Sequence, residues 1–150
     1  MKLRKAHPDE AGELTALAVR SKRAWGYSDG FMDAVMPDMI VHKSFLEEEH
    51  GIVATDGGRI VGYTIVRTDG DGAFLRDLFV EPTHFRKGIG RALFLEAARF
   101  ARERGAVRIV LTGDPNALGF YERLGMRRIG EEPSIVGGGR VLPVMELRLH

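Results

Sequence analysis

A chain of 150 residues, 44% of them hydrophobic and 29% charged, has the size and balance of one soluble globular domain spanning residues 1–150. Its 22 Lys and Arg against 21 Asp and Glu leave a net charge of +1, so no global field gathers nucleic acid and any anion site must be local. The absence of cysteine excludes disulfides, thiolate zinc sites and a cysteine nucleophile, and no apolar run approaches the roughly 18 residues of a membrane span or a signal peptide's core, so a cytoplasmic location with no membrane partner is expected.

Residues 1–6 read as a short first strand. Pro8, Asp9 and Glu10 suit the opening turn of a helix whose buried face is Leu14, Leu17, Ala18 and Ser21. A shorter helix is expected over 31–36, with Pro37 interrupting it. The run Glu47-Glu48-Glu49 reads as a solvated face, with attraction of a cationic ligand as the alternative. From Gly51 the texture turns to β-branched residues broken by Asp56-Gly57-Gly58 and Asp69-Gly70-Asp71-Gly72, which gives three consecutive strands, the last over 73–80 before Pro82. A long helix follows over 88–104, lined by Leu93, Phe94, Ala97, Ala98 and Ala101, then a buried-type strand over 107–112. Asp114-Pro115 caps a further helix carrying Ala117, Tyr121 and Leu124, and two closing strands over 126–130 and 141–149 flank Gly137-Gly138-Gly139. The fold class is therefore α/β, with an antiparallel meander first and a parallel crossover after it.

The most informative segment is Arg86-Lys87-Gly88-Ile89-Gly90, between a strand and a long helix. The first turn of a helix has unpaired amide hydrogens and a partial positive charge, and glycine lets phosphate oxygens approach them. Arg86, Lys87 and Arg91 add local cations. A P-loop would need Lys-Ser/Thr after the second glycine, where Arg91-Ala92 stands. A dinucleotide fingerprint would need a third glycine at Leu93, although Asp114 lies near the place of its ribose-binding acid. A purely structural turn is the remaining alternative.

The residues Leu78-Phe79-Val80-Glu81-Pro82, then Arg86-Lys87-Gly88-Ile89-Gly90 and Leu93, resemble the acetyl-CoA-binding motif of the GNAT superfamily of N-acetyltransferases. Downstream, Asp114-Pro115-Asn116-Ala117 and Phe120-Tyr121-Glu122-Arg123-Leu124-Gly125-Met126 look like that family's next motif. Phe85 stands where the family usually has Gln or Arg, and the alignment puts Asp114, not Asn116, at the family's usual cofactor-contacting Asn. The resemblance implies a mixed central sheet with helices on both faces. It further implies acetyl-CoA as co-substrate, with its pantetheine arm along the backbone of Leu78, Phe79 and Val80 in a splayed gap. The diphosphate would be held by Arg86, Lys87, Gly88, Ile89, Gly90 and Arg91, with Asn116 as a further coenzyme ligand. A homodimer is expected on the same ground.

Acetyl transfer to a primary amine needs a base, an oxyanion donor and a partner for the departing thiolate. Within the resemblance, the backbone amide near Phe79 or Val80 is the oxyanion donor and Tyr121 the partner of the sulfur, with a core aromatic beside Phe120 as the structural alternative for Tyr121. Asp77 is the better candidate base; a surface salt bridge is its structural alternative, and it shares a strand face with Glu81. His84 precedes the glycines as an exposed loop residue, and His7, His42, His50 and His150 have no metal-ligand spacing, so no metal is expected. Trp25 and Tyr27 either wall the amine site or pack the interhelix turn, and Arg140 either binds an anionic substituent or sits in a hairpin loop. The reading is an N-acetyltransferase acting on a small-molecule or peptide amine, with a catalytically idle acyl-CoA sensor and a dinucleotide-binding protein as alternatives.

Overall fold

Stretches of β-branched residues separated by glycine turns fold into strands, and the stretches with apolar residues three and four apart fold into helices against them. The computed structural model describes residues 1–149; the sequence reading of His150 lies outside them. Its elements are β1 (Lys2–Lys5), α1 (Ala11–Arg23), α2 (Asp29–Met39), α3 (Lys43–Glu48), β2 (His50–Asp56), β3 (Arg59–Asp69), β4 (Gly72–Val80), α4 (Ile89–Glu103), β5 (Arg108–Thr112), α5 (Leu118–Arg123), β6 (Arg127–Pro133) and β7 (Val141–Arg148). They form one seven-stranded sheet in the order β1-β2-β3-β4-β5-β7-β6. The pair β4–β5 is parallel, joined by the α4 crossover; the other neighbours are antiparallel. Each face of the sheet has its own core: Leu93, Phe94 and Ala97 of α4 pack with Leu75 and Ile109 on one side, and Leu14, Leu17, Met32 and Val35 of α1 and α2 pack with Tyr63 and Ile65 on the other.

Four local expectations are corrected. Pro37 does not interrupt α2, which runs on to Met39: Met32, Val35 and Met39 share one buried stripe, and their burial outweighs the hydrogen bond that proline removes. The same helix begins earlier than expected, at Asp29, because the Ser28 hydroxyl accepts a hydrogen bond from the Phe31 amide at 3.1 Å and caps it. The turn at 8–10 is a separate 3-10 turn before α1, as is 115–117 before α5. Helix α3 had no periodic signal, since only Leu46 of its six residues is buried. Immediately after α3, Glu49 is not part of a solvated face. Its carboxylate accepts from Arg76 Nε at 3.1 Å and Nη2 at 2.7 Å, and that guanidinium lies 3.9 Å from the centre of the Phe45 ring.

Arg76 also marks the irregularity that shapes the molecule. Ile65 of β3 opposes Asp77 and Val66 opposes Leu75, so Arg76 is an extra residue in β4. Such a bulge bends its strand away from regular pairing. On its other edge β4 pairs with β5 only through Gly72, Ala73 and Phe74, although β4 continues to Val80 and β5 to Thr112. The two parallel strands diverge and leave a gap.

Candidate active site

Strand alternation decides which backbone groups face that gap. The Glu81 amide donates to the Val61 carbonyl of β3 at 2.8 Å, and the Asp77 carbonyl accepts from the Thr64 hydroxyl of β3 at 2.7 Å. Residues 77, 79 and 81 therefore point their backbone polar groups at β3, and Leu78 and Val80 point theirs into the gap. The gap opens into a cleft of about 1000 Å³ whose walls come from β4, the 85–91 turn, the end of β5, α5, the end of α1 and the β6–β7 loop.

At one end of the cleft the turn before α4 is built as an anion cradle. Arg86 has φ 64° and Gly88 φ 80°, two left-handed residues that curl the chain. Among the described residues the amides of 86–91 have no backbone or side-chain acceptor; the first satisfied one is Ala92, which donates to the Gly88 carbonyl at 3.0 Å. Six successive free N–H groups at the positive end of a 15-residue helix fit a diphosphate. Arg86 and Arg91 line the cleft, as do Gly88, Ile89 and Gly90, whereas Lys87 is exposed and does not. Gly90 has a packing reason as well, because a Cβ there would come within 3.1 Å of the Phe120 ring. Phe85 lies at the rim, 40% exposed.

Tyr121 and Asp77 meet the middle of the cleft. Tyr121 is 7% exposed; its hydroxyl makes no hydrogen bond to another described residue and is open to the cleft, since no sealed side-chain polar atom among them lacks a partner. Its ring lies against Gly113, where a Cβ would stand 3.2 Å away. Burial, then the charges of Asp77 and Asp114, raises the phenol above its ordinary range, so the group stays protonated and serves as a donor. Asp77 is partly buried on the α1–α2 face and makes no salt bridge among the described residues, contrary to the structural alternative. It accepts a hydrogen bond from the Tyr63 hydroxyl at 3.0 Å. Burial pushes its carboxyl up to about 6, against the pull of Tyr63 and Arg76, with Glu49 and Asp38 adding to the rise. Glu81, on the same face, is instead locked by Arg20 at 2.9 and 2.7 Å. His84 is held between Thr83 and Asp56, at 2.9 and 3.0 Å, rather than free in its loop.

A polar cluster closes the far end. Asp114 accepts from Lys22 Nζ at 2.7 Å and from the Asn116 amide at 2.8 Å, and the Tyr27 hydroxyl donates to the same carboxylate from 2.9 Å. Tyr27 in turn accepts from Asn116 Nδ2 at 2.9 Å and from Arg140 Nη2 at 2.7 Å. Burial by itself would raise the Asp114 carboxyl, but Lys22, the Asn116 amide and Tyr27 outweigh it and hold it below its ordinary value. Trp25, Asn116 and Arg140 line the cleft; Tyr27 does not, being stacked on Phe31 at 3.9 Å behind Asp114. Sequence reading singled out Trp25, Tyr27, Asn116 and Arg140 but missed Lys22, which looks like one of three solvated cations, Arg20, Lys22 and Arg23, in the last turn of an amphipathic helix, and Asp38, which follows Pro37 without a pattern. Gly113, just before Asp114-Pro115, carried a usable signal: a glycine at a strand end marks a close approach.

Among the described residues no group of three or more His, Cys, Asp or Glu could hold a metal, and no helix is long and apolar enough to cross a membrane. The sequence profile of the Acetyltransferase (GNAT) family matches residues 11–126. The glucosamine 6-phosphate N-acetyltransferase of Trypanosoma brucei brucei is 32% identical over 73 residues, 49% of this chain and 42% of that one. The streptothricin acetyltransferase of Streptomyces lavendulae is 39% identical over 67 residues, 43% of this chain and 35% of that one. The chain thus spans less than half the length of either relative. The PaiA N-acetyltransferase of Thermoplasma acidophilum, solved with coenzyme A, superposes with a TM-score of 0.82 over 98% of both chains, and at 19% identity that likeness is one of fold.

Proposed function

The chain belongs to the GNAT acetyltransferase family, and from that premise we propose that it moves an acetyl group from acetyl-CoA directly to a primary amine of a small molecule. The reading is carried by one observation: the run of six free amides at 86–91 opens onto the same gap that Leu78 and Val80 border and Tyr121 faces. The coenzyme supplies an activated thioester. The amides of 86–91, with Arg86 and Arg91, hold its diphosphate, and the backbone of Leu78 and Val80 orients its pantetheine arm. Both relatives named above are acetyltransferases, and their names give two unlike acceptors, so the acceptor is argued from this chain's own residues.

Asp77 takes the proton from the acceptor ammonium, directly or through one water. An ammonium with pKa ~10.4 facing a carboxylate at its ordinary value would transfer its proton uphill by roughly 9 kcal/mol; a carboxyl at about 6 lowers that by close to one third. The Val80 amide, aimed into the gap, donates to the acetyl oxygen as it gains negative charge. Tyr121 hydrogen-bonds the departing sulfur as the C–S bond breaks, and the second proton, which the attacking nitrogen sheds on forming the C–N bond, passes to that sulfur or to cleft water. The raised pKa of Tyr121 makes full proton transfer to a thiolate unfavourable, so stabilisation by the hydrogen bond is its role.

A thiol-release assay over a panel of primary amines tests the reading; NADH binding without CoA binding, measured by calorimetry, would overturn it. Tyr121→Phe should lower kcat about ten- to a hundredfold and change CoA affinity less than threefold; an unaltered kcat removes Tyr121 from the reaction. Gly88→Val should weaken CoA binding at least tenfold, because a β-branched residue resists φ 80° and the amides turn away. Equal affinity in a folded variant would put the diphosphate elsewhere.

A further inference from the structure

We infer that the acceptor is an amine that also carries an anionic group, a carboxylate or a phosphate, which binds beside Asp114 on the N–H groups of Lys22 and Arg140 that Asp114 and Tyr27 leave unused. The inference rests on the amine-acetyltransferase reading and adds the class of acceptor. Its ground is the unequal charge of the cleft, in which, away from the 86–91 turn, Arg76 is paired with Glu49 and the exposed Arg123 and Glu132 offset one another. On the β4 side stand Asp77 and Asp38; the latter is exposed and has no salt-bridge partner among the described residues, and both suit an incoming ammonium. On the β5 side stand Lys22 and Arg140 with Asp114 between them, at 2.7 and 3.5 Å, two cations sharing one carboxylate. The three side chains are 11%, 19% and 11% exposed, so the surplus positive charge is largely withdrawn from water.

The donors are also underused. An ammonium has three N–H groups and a guanidinium five. Lys22 donates once, to Asp114, and Arg140 donates once, to the Tyr27 hydroxyl; Arg140 Nε and Nη1 have no acceptor among the described residues. The guanidinium is held in place by lying 4.8 and 5.2 Å from the centres of the Phe31 and Tyr27 rings. A guanidinium fixed in plane with free N–H groups, beside an ammonium with two of its three N–H groups unused, is complementary to a planar or tetrahedral oxyanion. An uncharged amine leaves the surplus charge uncompensated, and a polyamine is repelled by it.

The test uses matched acceptors: ethanolamine against its O-phosphate, β-alanine against its amide, and spermidine, each assayed for thiol release from acetyl-CoA. The anionic member of at least one pair is expected to have kcat/KM tenfold or more above its uncharged partner, and spermidine to be poorer than either. The pair that responds tells phosphate from carboxylate. Arg140→Gln should bring that ratio to within threefold, mainly through KM of the anionic member, while Arg140→Lys keeps part of it. If Arg140→Gln does not fold, Lys22→Met provides the same comparison. Ratios near one in the unaltered protein, a preference for spermidine, or a ratio untouched in a folded Arg140→Gln protein would each overturn the inference while leaving acetyl transfer standing. No thiol release from any amine would overturn the transferase reading and this inference with it.

Discussion

Asp77→Asn is expected to lower kcat/KM by a factor of about 10² to 10⁴ and, at neutral pH, to make the protein more stable. Both effects have one cause. Burial holds the Asp77 carboxyl at about 6, so ionising it inside the fold costs free energy that a carboxamide does not incur. The amide oxygen can still accept the Tyr63 hydrogen bond, now 3.0 Å long, so packing is preserved. Because the folded-state pKa is raised, the group's contribution to stability is complete below its unfolded value near 3.8. It is lost as the pH rises through about 6. A rise of about two units corresponds to ~3 kcal/mol, which contact with cleft water reduces to about 1–2 kcal/mol. Thermal unfolding at pH 4 and pH 8 should therefore find the variant equal to the parent at the first and ahead of it at the second. The kcat/KM profile of the parent should fall on the acid side with a midpoint near 6, and that limb should vanish in the variant. Of the groups facing this carboxyl, the Tyr63 and Tyr121 phenols are both raised by burial and stay protonated across that window. An unchanged acid limb would show that another group is the base.

The same carboxylate illustrates how much a linear chain discloses. Alternation in β4 fixed Asp77 and Glu81 on one face, but whether that face met water, α1 or a cleft depended on the bulge at Arg76, and a one-residue insertion in a ladder has no signature in residue type. The amide cradle was legible because it is local: strand, short loop, glycine and helix are contiguous, and the free N–H groups follow from helix geometry alone. Tyr121 was legible through its neighbours Phe120 and Gly125, whereas its seat against Gly113 brings together two elements that the sequence spaces apart. The far cluster was the hardest, since Lys22 lies 92 positions from Asp114 and Tyr27 lies 113 from Arg140, and they meet only because β7 inserts between β5 and β6. Long-range charge pairing leaves no periodic trace, and Lys22 differs from a solvated helix lysine only in what covers it.

Asp114→Ala is the second large effect expected, here on stability. One carboxylate accepts from the Lys22 ammonium at 2.7 Å, the Asn116 amide at 2.8 Å and the Tyr27 hydroxyl at 2.9 Å, and lies 3.5 Å from the Arg140 guanidinium. Removing it uncaps the turn before α5, which costs about 1 kcal/mol. It also leaves two largely buried cations facing each other without a counter-ion, a loss of about 2–3 kcal/mol once access to the cleft is allowed for. The sum, about 3–4 kcal/mol, corresponds to a fall in Tm of roughly 6–15 °C for a chain of this length. The folded-state pKa of Asp114 is lowered, so its contribution is present above the unfolded value and disappears as the pH falls below about 4. The difference in Tm between parent and variant should accordingly be full at pH 7 and shrink progressively as the pH falls below about 4. Lys22→Met made in the Asp114→Ala background should recover part of the loss, because it removes an uncompensated charge instead of a paired one. A double-mutant cycle with a coupling above about 1 kcal/mol is the expected result. Strict additivity would mean that the cluster is held by its aromatic and backbone contacts, with the charges placed there for the ligand alone.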